Sequence, residues 1–111
     1  MVRTGLLLLS KLAYICPMQK KHLNITVKGK VQGVSFRYAT KAVADQLGVR
    51  GIILNQPDGS VYAEAEADDW NMQLFLDWCH EGPTGAVVNS VETHEAELKN
   101  YRNFEIVKRI E

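Results

Sequence analysis

The chain reads as an α+β sandwich, one antiparallel sheet with two helices packed on the same face. Three observations carry that reading. Apolar and polar residues alternate in several short stretches, the period of strands with one buried side. Two longer stretches instead repeat their apolar residues every three or four positions, the period of amphipathic helices. The order is strand, helix, strand, strand, helix, strand, with one more strand at the end. Such an order suits hairpins and crossovers closing over a single sheet.

The first strand starts at Leu23, where Leu23, Ile25 and Val27 alternate with Asn24, Thr26 and Lys28. A loop from Gly29 to Val34 follows. Phe36, Ala39, Thr40, Val43, Ala44 and Leu47 then recur at helical spacing, and Gly48 offers a left-handed stop. Arg50–Asn55 reads as a second strand and Ser60–Glu66 as a third, joined by the turn Gln56-Pro57-Asp58-Gly59. Asp68-Asp69 suits the N-terminus of a second helix carrying Trp70, Leu74, Phe75, Trp78 and Cys79 inward and ending near Gly82-Pro83. The fourth strand covers about Val87–His94, with a bulge expected where Val88 and Val91 break strict alternation, and the fifth covers Phe104–Ile110. Glu64 and Glu66 share one side of the third strand and read as a solvated edge. This is the ferredoxin-like βαββαβ arrangement plus a C-terminal fifth strand.

At 111 residues, with 46% hydrophobic and 23% charged residues, the chain has the length and composition of one globular domain. We divide it into an N-terminal extension, residues 1–20, and the domain proper, residues 21–111. Residues 1–17 hold Arg3 and the run Gly5-Leu6-Leu7-Leu8-Leu9, interrupted by Lys11 and followed by no small-x-small cleavage site. The run is too short to span a membrane. It reads as a segment packed on the domain, a weak export signal, or translation assigned upstream of a start at Met18, and the last is favoured. Cys16 and Cys79 lie far apart without metal-ligand spacing, as in a reduced cytoplasmic protein. Asn24-Ile25-Thr26 matches a glycosylation sequon but falls inside a strand and carries no functional weight.

Formal net charge is zero, which argues against a general nucleic-acid binder. Its distribution is uneven. Residues 1–44 hold eight of the 13 Lys and Arg and none of the 13 Asp and Glu. A small anionic ligand is therefore favoured there. Within this positive part stands Gly29-Lys30-Val31-Gln32-Gly33-Val34-Ser35-Phe36-Arg37, a glycine-bracketed turn between strand and helix. Successive amides in such a turn converge into a nest, and the helix N-terminus adds partial positive charge. Arg37, in the first helical turn, leans back over the loop and offers a planar fork of donors to a phosphoryl group. The plainer alternative is an ordinary surface arginine.

Asn55, ending the second strand, is either a turn-starting asparagine that caps the backbone or a neutral amide that orients a water molecule. Ser35 reads as the cap of the first helix, since no base neighbours it. His22, His80 and His94 show no metal-ligand spacing. With no general base or metal cluster in sight, any reaction here needs a good leaving group and works by positioning and charge stabilisation.

Gly29–Arg37 resembles the acylphosphatase signature Gly-x-Val-Gln-Gly-Val-x-Phe-Arg. Gly51-Ile52-Ile53-Leu54-Asn55-Gln56-Pro57-Asp58-Gly59-Ser60-Val61 is similar to that family's second signature, Gly-x-Val-x-Asn-x-x-Asp-Gly-x-Val. Gly82-Pro83 followed by Ala86, Val88 and Val91 fits the segment before the family's fourth strand. The resemblance covers about residues 21–110. It implies hydrolysis of acyl phosphates to a carboxylate and inorganic phosphate, with no metal or organic cofactor. By position, Arg37 is the implied catalytic arginine, binding phosphoryl oxygens together with backbone amides of Gln32, Gly33, Val34, Ser35, Phe36 and Arg37. Asn55 is the implied residue that positions the attacking water. Ile52 and Leu54 depart from the family, which often has Trp and a basic residue there; residues 1–17 lie outside the resemblance.

The expected partner is therefore a small acyl phosphate, with inorganic phosphate as product, no nucleic acid and no membrane, and a monomer as the working unit. Two other classes compete. An RNA reader of this topology needs stacking aromatics on strands one and three, where only Tyr62 stands, followed by two acids. A non-catalytic phosphate- or carbamoyl-phosphate-binding module of the same fold is the stronger alternative.

Overall fold

The computed structural model describes residues 19–110, so the expectations for residues 1–17, Cys16 included, lie outside the described part. Strand β1 is Lys20–Lys30, helix α1 Phe36–Leu47, β2 Arg50–Asn55, β3 Val61–Asp68, α2 Asp69–Glu81, β4 Val87–Ala96 and β5 Phe104–Ile106. The strands lie in the order β4-β1-β3-β2-β5. The four strands of the βαββαβ unit pair antiparallel, but β5 runs parallel to β2, so the sheet is mixed and not wholly antiparallel. β5 is also shorter than expected. Its ladder pairs only Gly51–Ile53 with Phe104–Ile106.

Alternation places the core as anticipated. Leu23, Ile25 and Val27 from β1 and Val61, Ala63, Ala65 and Ala67 from β3 face the helices. They meet Phe36 and Ala44 of α1, Met72, Phe75 and Cys79 of α2, and Phe104, whose ring stands edge-on to Phe75 at 5.8 Å. Full burial of the Leu, Ile, Val, Met and Phe side chains among these is worth about 1.5–3 kcal/mol each. The bulge in β4 is present: Lys28 pairs with Ser90 but Gly29 with Val88, which leaves Asn89 as the extra residue. Gly29 is needed at that point, with φ 135° and space so tight that a Cβ would lie 2.1 Å from the Val87 carbonyl oxygen.

Helix α2 starts as the Asp68 cap predicts, with the Asp68 carboxylate accepting from the Asn71 amide at 2.8 Å. Its inward face differs from expectation. Met72, Phe75 and Cys79 form the buried stripe, whereas Trp70 is 73% exposed and Leu74 lies at the surface. At 100° per residue, positions 70 and 74 fall roughly opposite that stripe. Trp78 takes an intermediate course, and its indole N–H donates to Thr40 Oγ1 of α1 at 2.9 Å, tying the two helices together. Burial pushes the Cys79 thiol up to about 12, which makes it inert packing.

Glu64 and Glu66 are not on a solvated edge. β3 is the middle strand of five, and the segment 97–103 crosses the sheet face opposite the helices. Both carboxylates are buried there. Glu66 accepts from the backbone amides of Lys99 and Tyr101 and faces His22 Nδ1 at 2.7 Å. Glu64 accepts from the Tyr62 hydroxyl at 2.8 Å, the Tyr101 hydroxyl at 2.7 Å and Lys99 Nζ at 2.8 Å. His22 is fully buried, its Nε2 2.8 Å from Asn24 Oδ1 and 3.3 Å from Glu64 Oε1. Burial alone raises both carboxyls, yet the donors around them outweigh it and hold both below the usual carboxylate range. The same burial and the adjoining carboxylate push the Tyr62 and Tyr101 hydroxyls up. No buried side-chain polar atom among the described residues lacks a partner.

Candidate active site

The loop between β1 and α1 is built from alternating anchors and turns. Val31 and Phe36 are buried in the core, so the chain between them is held at both ends. Gly33 has φ 75° and Ser35 φ 61°, with Val34 between them at negative φ. Alternation of this kind turns neighbouring amides toward one side, the geometry of an anion nest. Gly33 adopts its conformation without penalty, whereas Ser35 in the left-handed region stores about 1 kcal/mol or more, the kind of strain that gathers at functional sites. Ser35 occupies the N-cap position but makes no side-chain cap hydrogen bond, so the capping role expected for it is absent. The first intrahelical bond runs from the Ala39 amide to the Ser35 carbonyl at 3.0 Å. The amides of Phe36, Arg37 and Tyr38 precede it and have no acceptor within the helix.

Arg37 is half-buried in this first turn. Among the described residues no carboxylate pairs with it; its guanidinium carbon stands 5.9 Å from the Tyr38 ring centroid. A charged fork held by one aromatic face is left with donors for a ligand. Asn55 ends β2, its backbone paired with Val61. The turn behind it closes without the Asn55 side chain: the Ser60 amide donates to Asp58 Oδ1 at 3.0 Å, and the Gly59 amide to the Gln56 carbonyl at 3.1 Å. Asn55 is therefore not the backbone cap of its turn.

These elements share one cleft of about 260 Å³, lined by Val31, Gly33, Ser35, Phe36, Arg37, Tyr38 and Asn55. Its volume falls below the ~300–1,000 Å³ of drug-sized sites and suits a small ligand. Arg37 and Asn55, eighteen residues apart in the sequence (55 − 37), thus line the same cleft. Of the residues expected to contribute amides, Gly33, Ser35, Phe36 and Arg37 line the cleft, while Gln32 and Val34 do not. Val34 packs on the core, and the Gln32 side chain turns to the β2–β3 turn, donating to the Gln56 and Ser60 carbonyls. That role of Gln32 and the exposed ring of Tyr38 at the rim were missed in the sequence. Nothing in spacing announces a hydrogen bond between a loop and a turn 24 residues away. Among the described residues no group of three or more His, Cys, Asp or Glu side chains is placed to hold a metal ion.

The chain is similar to known proteins over most of its length. The acylphosphatase family model matches residues 23–106. An acylphosphatase of Lactiplantibacillus plantarum is 48% identical over 85 residues, covering 74% of this chain and 94% of that one. The crystal structure of the Bacillus subtilis acylphosphatase superposes with a TM-score of 0.77 at 32% identity, over 78% of this chain and 98% of the other. A segment of full-length HypF, solved in a phosphate- and nucleotide-bound form, superposes with a TM-score of 0.72 at 28% identity, over 81% of this chain but only 12% of that one. With two signatures in order, the cleft they build and this match over most of its length, the chain belongs to the acylphosphatase family.

Proposed function

We propose that this protein hydrolyses acyl phosphates, with Arg37 and the loop amides holding the phosphoryl group and Asn55 positioning the attacking water. One observation carries the reading: Arg37 and Asn55 line the same small cleft as Gly33 and Ser35. Family membership supplies the reaction class, and a relative that the match covers over 94% of its length bears the name acylphosphatase. In the proposed step, the water oxygen bonds to phosphorus while the bond from phosphorus to the acyl oxygen breaks. The bonding pair leaves with the carboxylate, and the water protons pass to phosphate and solvent. A carboxylate leaves readily, so positioning and charge neutralisation suffice without a strong base.

Arg37 and the amides meet the negative charge spread over the phosphoryl oxygens. The Asn55 side chain makes no hydrogen bond among the described residues, which suits a group that takes its partner from the reacting complex. The test is turnover of acetyl phosphate by the wild type and by Asn55→Ala. We expect Asn55→Ala to lower kcat by about 100-fold while competitive inhibition by inorganic phosphate persists. Normal turnover with lost phosphate inhibition would reverse the role given to Asn55. A wild type that binds phosphate without turnover would favour the non-catalytic module, the reading to which the match with a segment of HypF lends support.

No helix among the described residues is long and apolar enough to cross a membrane. We further propose a location in the cytoplasm, which the one described cysteine, buried and free Cys79, suits as in a reducing compartment, and a monomer as the working unit.

A further inference from the structure

We propose that Gln32 is a positioning residue that holds Asn55 against the phosphate cradle; the inference rests on the role given to Asn55 above. Gln32 lies within the phosphate loop, yet its side chain points away from the cleft. Its Nε2 donates to the Gln56 carbonyl and to the Ser60 carbonyl, both at 2.8 Å. A primary amide has two N–H donors, and both are used here, which fixes the plane of the group as well as its place.

The two acceptors sit at either end of the β2–β3 turn, and that turn is bonded to itself. The Gln56 amide donates to the Ser60 carbonyl at 2.9 Å, the Gly59 amide to the Gln56 carbonyl at 3.1 Å, and the Ser60 amide to Asp58 Oδ1 at 3.0 Å. Such a turn moves as a unit, and Asn55 is the residue that leads into it. The cradle leaves β1 and Asn55 leaves β2, but β3 lies between those strands, so no ladder joins them directly. Among the described residues, the Gln32 amide is the side chain that spans the gap by hydrogen bonds.

A glutamate in its place would set carboxylate oxygens against two carbonyls, and a methionine would fill the volume without donating. The experiment measures kcat on acetyl phosphate and the inhibition constant for inorganic phosphate in Gln32→Met, in Asn55→Ala and in the double variant. Misplacing a reacting group by about 1 Å costs on the order of 100-fold, so Gln32→Met is expected to lower kcat by about 10- to 100-fold. Phosphate inhibition is expected to change by less than about two-fold, and Gln32→Met added to Asn55→Ala to lower kcat by less than about two-fold further. Equal losses in both backgrounds, an unchanged kcat, or a parallel weakening of phosphate binding would each overturn the proposal. Proton exchange provides a readout independent of activity and of how the variants fold. In the wild type, both Gln32 side-chain amide protons should exchange far more slowly than those of the exposed Gln46, and equal rates would remove the clamp. An inactive wild type with protected Gln32 protons would instead refute the enzymatic reading and leave the clamp standing.

Discussion

The two polar assemblies of this domain are made of similar parts and used in opposite ways. On the sheet face away from the helices, His22, Glu64, Glu66, Tyr62, Tyr101 and Lys99 are closed on one another, each buried polar atom having a partner. At the end of the sheet, Arg37 and Asn55 line a cleft with no carboxylate on the arginine and no hydrogen bond on the asparagine side chain among the described residues. Buried polar groups are tolerable only when satisfied. Groups destined for a ligand are left with donors to give, and the scaffold holds them there by other means: Val31 and Phe36 in the core, and Gln32 across to the β2–β3 turn. On the proposed reading, the closed assembly belongs to stability and the open one to chemistry.

Removing a charge from each assembly should separate these roles. Arg37→Ala takes away the cationic side chain that lines the cleft, and on the proposed role turnover should fall by about 1,000-fold or more, with a thermal midpoint close to the wild type. Retained activity at unchanged stability would dismiss Arg37 as the catalytic arginine. Glu66→Ala should do the reverse. It strips the acceptor from His22 Nδ1 and from the Lys99 and Tyr101 amides, leaving donors buried without partners. We expect a loss of about 3 kcal/mol by denaturant unfolding, with kcat unchanged under conditions where the protein stays folded. A kcat loss as large as that of Asn55→Ala would mean that the two assemblies are coupled and the division drawn here is false.

The sequence made the open assembly more legible than the closed one, for a physical reason. Gly33, Ser35 and Arg37 fall within five residues, so the loop and the helix start are local properties, although the left-handed strain at Ser35 was not legible, and Asn55 sits at a turn whose residues declare it. The core face was equally plain, because Leu23, Ile25 and Val27 keep strict alternation. Glu64 and Glu66 obey the same alternation, but their environment depends on Lys99 and Tyr101, more than thirty residues on, and on β3 being central. Alternation says which side a residue faces and not what covers that side. Trp70 shows the same limit in a helix: an aromatic near the start of α2 looks like core until the stripe of Met72, Phe75 and Cys79 sets the inward direction.

The smallest predicted effect probes the closed assembly through protons. The carboxyls of Glu64 and Glu66 are held below their ordinary value of 4.5 in the fold. Between the folded and unfolded values the unfolded chain binds more protons, so stability rises with pH through that window. The contribution is therefore complete above about pH 5.5 and is lost as pH falls through 4.5 toward the depressed folded values. Glu64→Gln keeps the shape of the side chain and removes one of the two titrations. Measured from pH 7 down to 3.5, the thermal midpoint of this variant should fall less steeply than that of the wild type, although the variant is the less stable of the two at pH 7. Its kcat for acetyl phosphate at pH 7 should match the wild type, because Glu64 faces the other side of the sheet from the helices and contributes nothing to the cleft. An identical acid slope in both proteins would mean that the donors from Lys99, Tyr101 and Tyr62 do not hold Glu64 ionised. The closed assembly would then be packing alone, and only the cleft would keep its charges for a purpose.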